Sequence, residues 1–210
     1  MTQQHYRPVV AAFDFDGTLT RRDTLFPFLL HVSGPLAFSF KFISLLPTLT
    51  AYALGMVRND IAKQLVLRRF LANMALTQIQ QHALGFVAQK LPALLRNEAM
   101  QRLTWHLQQN HRCIVVSASL ENYLKPWAST VGFTDVLGSQ LEILANGTAS
   151  GNLQGENCFG AEKMRRLEAL IGPRDGYILY AYGDSNGDKA LLSAADYPFY
   201  KSFTQQGQPS

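Results

Sequence analysis

Residues 9–20 read VVAAFDFDGTLT, and this stretch gives the first indication of the fold. The apolar run at 9–13 is typical of a strand that is buried in a parallel sheet. Gly17 follows two carboxylates and lets the chain turn sharply away from the end of that strand. Open α/β sheets bind their ligands at the carboxyl ends of the strands. Asp14 and Asp16 are therefore candidates for holding a divalent cation, attacking an electrophile or transferring a proton.

A DxDG string by itself also fits a calcium loop or a solvent-exposed turn. The calcium loop is a poor fit, because aligning Gly17 with the loop glycine places Ala12 at the first ligand position and Asp23 where a bidentate glutamate belongs. A solvent-exposed turn remains an alternative interpretation if this segment is considered alone. Partners elsewhere in the chain decide between a turn and a reactive site.

Such partners occur in three later segments. Residues 111–119 read HRCIVVSAS and predict a second buried strand that ends in hydroxyls. Residues 177–182 predict a third strand, which runs into GDSNGD at 183–188. Between these strands, Lys163 lies in the first turn of a predicted helix. Taken singly, such residues are also typical of caps, turns and solvated cations, but together they place acids, a hydroxyl and a cation at neighbouring strand ends.

In this combination the chain resembles the haloacid dehalogenase superfamily, from about residue 8 to residue 201. The four motifs of that family appear in the expected order, as DFDGT at 14–18, Ser117, Lys163 and GDSNGD at 183–188. Two residues after the position of the family's nucleophile, the chain carries an acid, Asp16. In this respect it resembles the phosphatases and phosphomutases of the superfamily. The long insert between the first two motifs is similar to subfamily IB, which has a helical C1 cap and includes phosphoserine phosphatase.

The resemblance implies a role for each matching residue. Asp14 is the expected nucleophile, which forms an aspartyl-phosphate, and Asp16 is the expected general acid and base. The further residues expected to act on or bind the phosphate are Gly17, Thr18, Ser117, Ala118 and Lys163, of which Ser117 and Lys163 also count as catalytic. Mg²⁺ is the expected cofactor, and its expected surroundings are Asp14, the main-chain carbonyl of Asp16, Asp184 and Asp188. The implied reaction is hydrolysis of a phosphomonoester, with phosphoryl transfer to a second alcohol as an alternative.

The order of apolar patterns predicts an α/β fold. We expect a three-layer, doubly wound, mostly parallel sheet with an inserted α-helical cap subdomain. The catalytic core is expected at residues 1–19 and 96–210, and the cap at 20–95. The further predicted elements are helices at 92–109, 123–131, 160–171 and 187–195, a β-hairpin at 140–153, a short strand near 197–200, and a capping box at 77–80 that opens a helix.

Residues 24–57 form an unusually apolar segment, in which Lys41 is the one formal charge among 34 residues. Three explanations stay open: a cap helix that neighbouring helices bury, a helix that lies on a bilayer surface and breaks at Pro47, and a transmembrane span. The span is the weakest of the three, because Lys41 and Pro47 fall inside the window and the apolar run at 42–57 has only 16 residues.

The second motif gives an indication of the substrate. It reads SAS at 117–119 where phosphoserine phosphatases have an SGG-type motif, and the cap is apolar. In both respects the chain resembles the branch that contains phosphatidylglycerophosphatase C. This resemblance implies a phospholipid head group as substrate and a peripheral membrane contact through residues 36–57 at the inner face of the membrane. A phosphatase for a small soluble metabolite would carry the same core motifs and stays the alternative.

Composition excludes several other classes of protein. Charged residues make up 16% and apolar residues 47% of the chain, which excludes general disorder. The net charge of +4 is scattered, and without a basic stripe we expect no nucleic-acid partner. Cys113 and Cys158 are too few for a disulfide framework, and residues 1–8 lack the apolar core of a secretory signal, so a cytoplasmic location is expected. The sequence does not indicate an oligomeric state.

Overall fold

The computed structural model describes residues 7–203. The expectation that no secretory signal is present falls mainly on residues 1–6, which lie outside the described residues, as do residues 204–210. The helices and strands are, in chain order, β1 (Val9–Phe13), α1 (Leu25–Ser33), α2 (Pro35–Ile43), α3 (Leu46–Ala53), α4 (Asn59–Leu71), α5 (Leu76–Gln89), α6 (Asn97–Gln108), β2 (Arg112–Leu120), α7 (Glu121–Val131), β3 (Asp135–Ser139), β4 (Leu141–Ile143), β5 (Ala149–Leu153), α8 (Ala161–Ile171), β6 (Ile178–Gly183), α9 (Lys189–Ala194) and β7 (Tyr197–Tyr200).

The central sheet has five parallel strands in the order β3-β2-β1-β6-β7. Alternate residues of β1 enter different cores, as the two-residue period of a strand requires. Val10 and Ala12 belong to the core under α8 and α9, while Ala11 and Phe13 belong to the larger core under α6 and α7. The predicted three-layer, doubly wound parallel sheet is therefore confirmed.

The strand register brings the sequence motifs to one edge of the sheet. Phe13, the last residue of β1, lies opposite Val115 of β2 and Tyr182 of β6. The main-chain N–H of the next residue, Asp14, donates to the carbonyl of Tyr182 at 2.9 Å. Because the three strands are parallel, the segments that follow them emerge on the same side. Asp14, Ser117 and the residues after β6 are thus neighbours in space.

Helices α1 to α5 lie between β1 and α6 in the chain. The chain leaves the sheet and returns to it through two segments that lie side by side. The N–H of Arg21 donates to Leu94 at 2.8 Å, and the N–H of Arg96 donates to Leu19 at 2.9 Å. These bonds tie both ends of the helical insert to each other. The division into a core and a cap at residues 20 and 95 stays a prediction.

Two predicted helix starts are wrong, both because tertiary contacts engage the main chain. The helix predicted at 92–109 begins at Asn97, since residues just before it pair with the chain leaving β1. The predicted capping box at 77–80 is absent: α5 begins at Leu76, and no side chain caps it. The N–H of Leu76 instead donates at 3.0 Å to Gly147, in the turn of the β4–β5 hairpin. That antiparallel hairpin itself is confirmed.

The apolar segment at 24–57 folds as three short helices that neighbouring helices cover only in part. Neither α2 nor α3 contains a fully buried residue. Leu36 is 89% exposed and Phe40 is 73% exposed. Residues Pro35–Ala53 are long and apolar enough to cross a membrane by length and composition, with 19 residues and a mean hydropathy of 1.3. Burial within the described chain therefore accounts for α1, where Phe28 and Leu29 are fully buried, but not for the outer faces of α2 and α3.

Candidate active site

Asp14 and Lys163 form the centre of the site. Asp14 is buried at the end of β1, and Lys163 is buried on α8. The Lys163 Nζ atom lies 2.5 Å from Asp14 Oδ1 and 2.6 Å from Asp188 Oδ1. One cation therefore faces two carboxylates, which leaves the cluster with an excess negative charge.

The protonation of this cluster follows from burial and from its own charges. Burial raises the pKa of Asp14 to about 6, although the charge of Lys163 opposes the increase. Burial alone would lower the pKa of Lys163, but the charges of Asp14 and Asp188 and their hydrogen bonds raise it above its ordinary value. At neutral pH the pair is thus a carboxylate beside an ammonium group, and Asp14 keeps a free electron pair for attack.

Asp184 joins Asp14 and Asp188 from the loop after β6. Each of the three carboxylates offers an oxygen, and these oxygens all lie within 4.8 Å of one another. Burial, together with the charge of Asp188, raises the pKa of Asp184. Several carboxylate oxygens around one point are the donor set that hard divalent cations such as Mg²⁺ prefer. The residues therefore fit the expected metal.

Asp188 differs from the other two acids because its oxygens already have partners. Its Oδ1 atom accepts from Lys163, and its Oδ2 atom accepts from the N–H groups of Asp184 at 3.1 Å and Ser185 at 3.0 Å. The Ser185 hydroxyl donates to the same oxygen at 2.9 Å. Asp188 is also absent from the cavity wall formed by the described residues. Its contacts are those of a residue that holds Lys163 and the loop carrying Asp184 in place.

Gly17 allows Asp184 to approach the turn that follows Asp14. Gly17 has a φ of +80°, a conformation that residues with a Cβ atom rarely adopt. A Cβ atom at this position would lie 2.3 Å from Asp184 Oδ2. The hydroxyl of Thr18 donates to Asp184 Oδ1 at 3.4 Å. Gly17 and Thr18 thus both adjoin Asp184, which belongs to the loop after β6.

Asp16 points into a separate network of hydroxyl groups. Its Oδ1 atom accepts from the N–H of Thr24 at 2.8 Å and from the hydroxyl of Thr24 at 2.6 Å. Its Oδ2 atom accepts from the Ser119 hydroxyl. The Tyr123 hydroxyl in turn donates to Ser119 at 2.9 Å. Burial, with a contribution from the charge of Asp23, raises the pKa of Asp16 to about 7.

The carboxylate of Asp16 is not among the three that converge near Lys163. The expected contribution of Asp16 to a metal site through its main-chain carbonyl stays a prediction. A carboxyl group with a pKa near neutrality is able both to donate and to accept a proton. Asp14 and Asp16 therefore occupy different chemical environments although one residue separates them.

One cavity of about 680 Å³ contains most of the predicted site. Every expected phosphate-binding or catalytic residue lines it: Asp14, Asp16, Gly17, Thr18, Ser117, Ala118 and Lys163, together with the expected metal ligand Asp184. Ser117 is buried, and its Oγ accepts from the N–H of Ser119 at 3.1 Å. The opposite wall comes from the helical insert and includes the apolar side chains of Leu25, Phe26, Leu49 and Val66.

Sequence reasoning missed Lys63, a buried cation that lines this cavity in addition to Lys163. Lys63 lies on α4, and its Nζ atom donates to the carbonyl of Ala118 and, at 2.8 Å, to Asn157 Oδ1. Burial lowers the pKa of Lys63 to about 8, although the charges of Asp16 and Asp23 oppose the decrease. Asn157 also donates to Asn59 at 2.9 Å. The helical insert is therefore bonded to the segment that contains Ser117.

Sequence reasoning also missed Thr24, a direct partner of Asp16, and Tyr123, which donates to the Ser119 hydroxyl next to Asp16. Hydroxyl residues in helices are common, and no local pattern distinguishes these two. The two cysteines, Cys113 and Cys158, are both free and buried.

The chain matches a known protein family and a curated relative. A family model described as haloacid dehalogenase-like hydrolase matches residues 11–193. Protein CicA from Caulobacter vibrioides is 34% identical over 205 residues, which cover 98% of this chain and 90% of that protein.

Solved structures share the fold at low sequence identity. A protein of unknown function from Bordetella pertussis Tohama I has a TM-score of 0.79 at 21% identity, over 93% of this chain and 90% of that one. A phosphoserine phosphatase with an analogue of its phospho-aspartyl intermediate has a TM-score of 0.60 at 13% identity, over 90% and 84% of the two chains. By the extent of the family match and the identity to its relative, this chain belongs to the haloacid dehalogenase-like hydrolases.

Proposed function

We propose that this hydrolase is a phosphatase that cleaves phosphomonoesters through an aspartyl-phosphate on Asp14. The observation that carries the proposal is the contact of Asp14 with Lys163, with Asp184 close by, at the end of the central strand. A phosphomonoester dianion repels a carboxylate nucleophile unless cations offset the charge. Family membership and the likeness to a phosphoserine phosphatase support the same reaction.

In the first step, a carboxylate oxygen of Asp14 attacks phosphorus, and the bond between phosphorus and the alcohol oxygen breaks. Asp16, in its protonated form, gives its proton to that oxygen, so the product leaves as a neutral alcohol. The hydroxyl of Thr24 and that of Ser119 hold the Asp16 carboxyl group toward the cavity. Lys163 offsets negative charge on the transferred group.

In the second step, water attacks the phosphorus of the aspartyl-phosphate. Asp16, now a carboxylate, accepts a proton from this water, and the bond between phosphorus and Asp14 breaks. Inorganic phosphate leaves, and both carboxyl groups return to their initial states. The pKa of Asp16 near 7 suits both directions of transfer. Ser117, Gly17, Thr18 and the main chain at Ala118 surround the phosphoryl oxygens.

The expected cofactor is Mg²⁺. Asp14, Asp184 and the main-chain carbonyl of Asp16 would hold it, and Asp188 would keep these groups in place. When bound, the ion supplies positive charge that lowers the repulsion between the nucleophile and the phosphate. We place the catalytic core at residues 1–19 and 96–210, and the cap, whose side chains line the cavity, at 20–95.

Two classes of leaving alcohol are consistent with the cavity. A volume of about 680 Å³ is in the range that accommodates drug-sized ligands, and one wall is apolar. These features favour a phosphomonoester linked to a lipid, such as phosphatidylglycerophosphate, at the cytoplasmic face of the membrane. A small phosphorylated metabolite is the alternative, which the phosphoserine phosphatase likeness supports.

Replacing Asp14 with Asn tests the proposed function. The change keeps the size of the side chain but removes the nucleophile, so we expect hydrolysis of p-nitrophenyl phosphate with Mg²⁺ to fall roughly ten-thousandfold. Asp175→Asn, at an exposed carboxylate away from the cavity, is the control and should keep its activity. Hydrolysis by Asp14→Asn at the parent rate would overturn the assignment. Release of alcohol without an equal amount of inorganic phosphate would indicate phosphoryl transfer instead.

A further inference from the structure

Lys63 is a buried cation that is bonded to neutral groups rather than to acids. Its Nζ atom donates to the carbonyl of Ala118 and, at 2.8 Å, to Asn157 Oδ1. Among residues 7–203, Lys63 forms no ion pair. Burying a cation without a carboxylate partner costs folding free energy. A position that carries such a cost and lines the active-site cavity is a candidate for a functional role.

The carbonyl that Lys63 contacts belongs to the peptide group between Ala118 and Ser119. The N–H of the same peptide group donates to Ser117 Oγ at 3.1 Å. In a trans peptide the C=O and the N–H point in opposite directions. The ammonium group therefore holds one end of this peptide group while the Ser117 hydroxyl oxygen receives the other. Lys63 thus fixes the direction in which the N–H points.

The central sheet does not hold this peptide group in a regular ladder. The pairing of β2 with β1 ends at Val115, and the register of β2 on β3 shifts between Val116 and Leu120. Residues 117–119 fall within that interval. Irregularities of this kind redirect side chains beside active sites, because the main chain there is free of the regular pairing. Side chains such as Lys63 are therefore needed to orient this part of β2.

The Ser117 hydroxyl is prepared to donate into the cavity. Ser117 is buried and lines the cavity, and its O–H donates to no other group of the described chain. Because its oxygen already accepts from the N–H of Ser119, the O–H is left for a phosphoryl oxygen. A cation on the carbonyl polarises the peptide group and strengthens its N–H as a donor. Burial lowers the pKa of Lys63 only to about 8, so the side chain is mostly charged at neutral pH.

Asn157 anchors the ammonium group of Lys63 from a second side. Its Oδ1 atom accepts from Lys63 and, at 2.8 Å, from the hydroxyl of Ser139, and its Nδ2 atom donates to Asn59 at 2.9 Å. Asn59 and Lys63 both belong to α4 of the helical insert. The Nζ atom is thus held by partners from two separate segments of the chain, as a positioning role requires.

We propose that Lys63 is a positioning residue of the phosphate site, which orients the Ser117 hydroxyl toward the transferred phosphoryl group through the peptide group of Ala118 and Ser119. The inference rests on the proposed function, since it assigns no reaction of its own. It means that the helical insert supplies one determinant of phosphate binding. The competing role is direct contact of Lys63 with an anionic group on the leaving alcohol, and the experiment separates the two.

A double-mutant cycle with inorganic phosphate tests the coupling between Lys63 and Ser117. Phosphate binding is measured by calorimetry, with Mg²⁺ present, for the parent, Lys63→Met, Ser117→Ala and the double variant. Each single change should raise the Kd about tenfold, because each removes the use of one hydrogen bond to phosphate. The double change should raise the Kd about ten- to twentyfold, whereas independent residues would give roughly a hundredfold increase. An additive double variant would overturn the inference.

The choice of leaving alcohol separates positioning from direct contact. Lys63→Met should lower kcat/KM by the same factor for phenyl phosphate and for 3-carboxyphenyl phosphate, because the defect lies at the phosphoryl group that both esters share. A loss confined to the carboxylated ester would overturn the inference, since Lys63 would then bind that carboxylate itself. Lys90→Met, at an exposed lysine of the same insert outside the cavity wall, is the matched control and should keep the parent Kd and kcat/KM.

Asn157→Ala is a second variant, which keeps the lysine and removes the other anchor of its ammonium group. It should raise the Kd for phosphate a few fold in the parent and no further in Lys63→Met. An equal increase in both backgrounds would contradict the positioning role.

Asp14→Asn separates this inference from the proposed function. Hydrolysis by Asp14→Asn at the parent rate rejects the nucleophile. Additive effects of Lys63→Met and Ser117→Ala, in an enzyme whose Asp14→Asn variant is inactive, reject the positioning role alone.

Discussion

Replacing Lys163 with Met should strongly destabilise the protein in the absence of Mg²⁺. The side chains of Lys163, Asp14 and Asp188 are 3%, 7% and 0% exposed, and the ammonium group is the shared partner of both acids. Its removal leaves two buried carboxylates without their cation, a change that typically costs about 3–5 kcal/mol of unfolding free energy. For a domain of this size that corresponds to a decrease in Tm of roughly 6–20 °C, measured by thermal unfolding with a chelator present.

The pH and metal dependence of this variant give it a distinct signature. Without Lys163 the Asp14 carboxylate is harder to ionise in the folded state, so the folded pKa of Asp14, which burial already raises to about 6, rises further above its unfolded value. The loss of stability should therefore be smallest at acidic pH and increase as the pH rises. Added Mg²⁺ should restore part of the Tm, because it replaces the missing positive charge. Lys125→Met, which removes an exposed partner of Glu121, is the control and should change Tm little. An equally small change for Lys163→Met would show that the Lys163 ammonium group does not stabilise the buried carboxylates.

Two further predictions concern the other ionisable groups of the cavity. Asp16→Asn should slow hydrolysis of an alkyl phosphate about 10²–10⁴-fold. With p-nitrophenyl phosphate the same variant should give a burst of one product per enzyme, since nitrophenolate leaves without a proton but the water that cleaves the intermediate is no longer activated. Steady turnover at the parent rate, without a burst, would contradict the role of Asp16. The pKa of Lys63, about 8, lies below its value in the unfolded chain. Between pH 8 and the ordinary lysine pKa, the unfolded chain therefore binds more protons than the folded chain. The stability attributable to Lys63 rises with pH in that range. Chemical denaturation should show a slope that is more positive in the parent than in Lys63→Met, by at most about 1.4 kcal/mol per pH unit, and identical slopes would refute the buried cation.

The strands and the residues at their ends were predictable from the sequence. The runs at 9–13 and 177–182 have the composition of buried parallel strands, and parallel strands end at the same edge of a sheet. Asp14, Ser117 and the acids after β6 therefore had to be neighbours once the strands were identified. Lys163 was located in the first turn of a predicted helix, but its role in the site came from the resemblance to the haloacid dehalogenase superfamily.

The contacts made by the helical insert were not predictable in this way. Lys63 and Ala118 are 55 residues apart, and their hydrogen bond depends on how α4 packs on the sheet. Thr24 is one of several hydroxyl residues that follow Asp16 in the sequence. It is the path of the chain after Gly17 that brings Thr24 into contact with Asp16. The start of α5 depends on Gly147 in a distant hairpin, so a local capping rule gave the wrong residue. Such contacts are set by tertiary packing and carry no local sequence signal.

The exposure of α2 and α3 shows a further limit of sequence patterns. An almost wholly apolar helix is usually interpreted as buried, because apolar residues are usually inside. The sequence identified the composition of residues 24–57 but not which face is covered. In the structure one face packs on Phe26 and Phe70 while Leu36 and Phe40 face outward. That difference separates a buried core helix from a helix with one exposed apolar face.

The position of the transferred phosphoryl group is the most direct test of the account. Enzyme turning over a phosphomonoester with Mg²⁺ is quenched in acid, digested, and its peptides analysed by mass spectrometry. We expect one phosphate on the peptide that contains Asp14, and fragmentation of that peptide should place the phosphate on Asp14. The Asp14→Asn protein should carry no phosphate. A phosphate on Ser117 or another side chain, or turnover with no phosphorylated peptide in either protein, would contradict it.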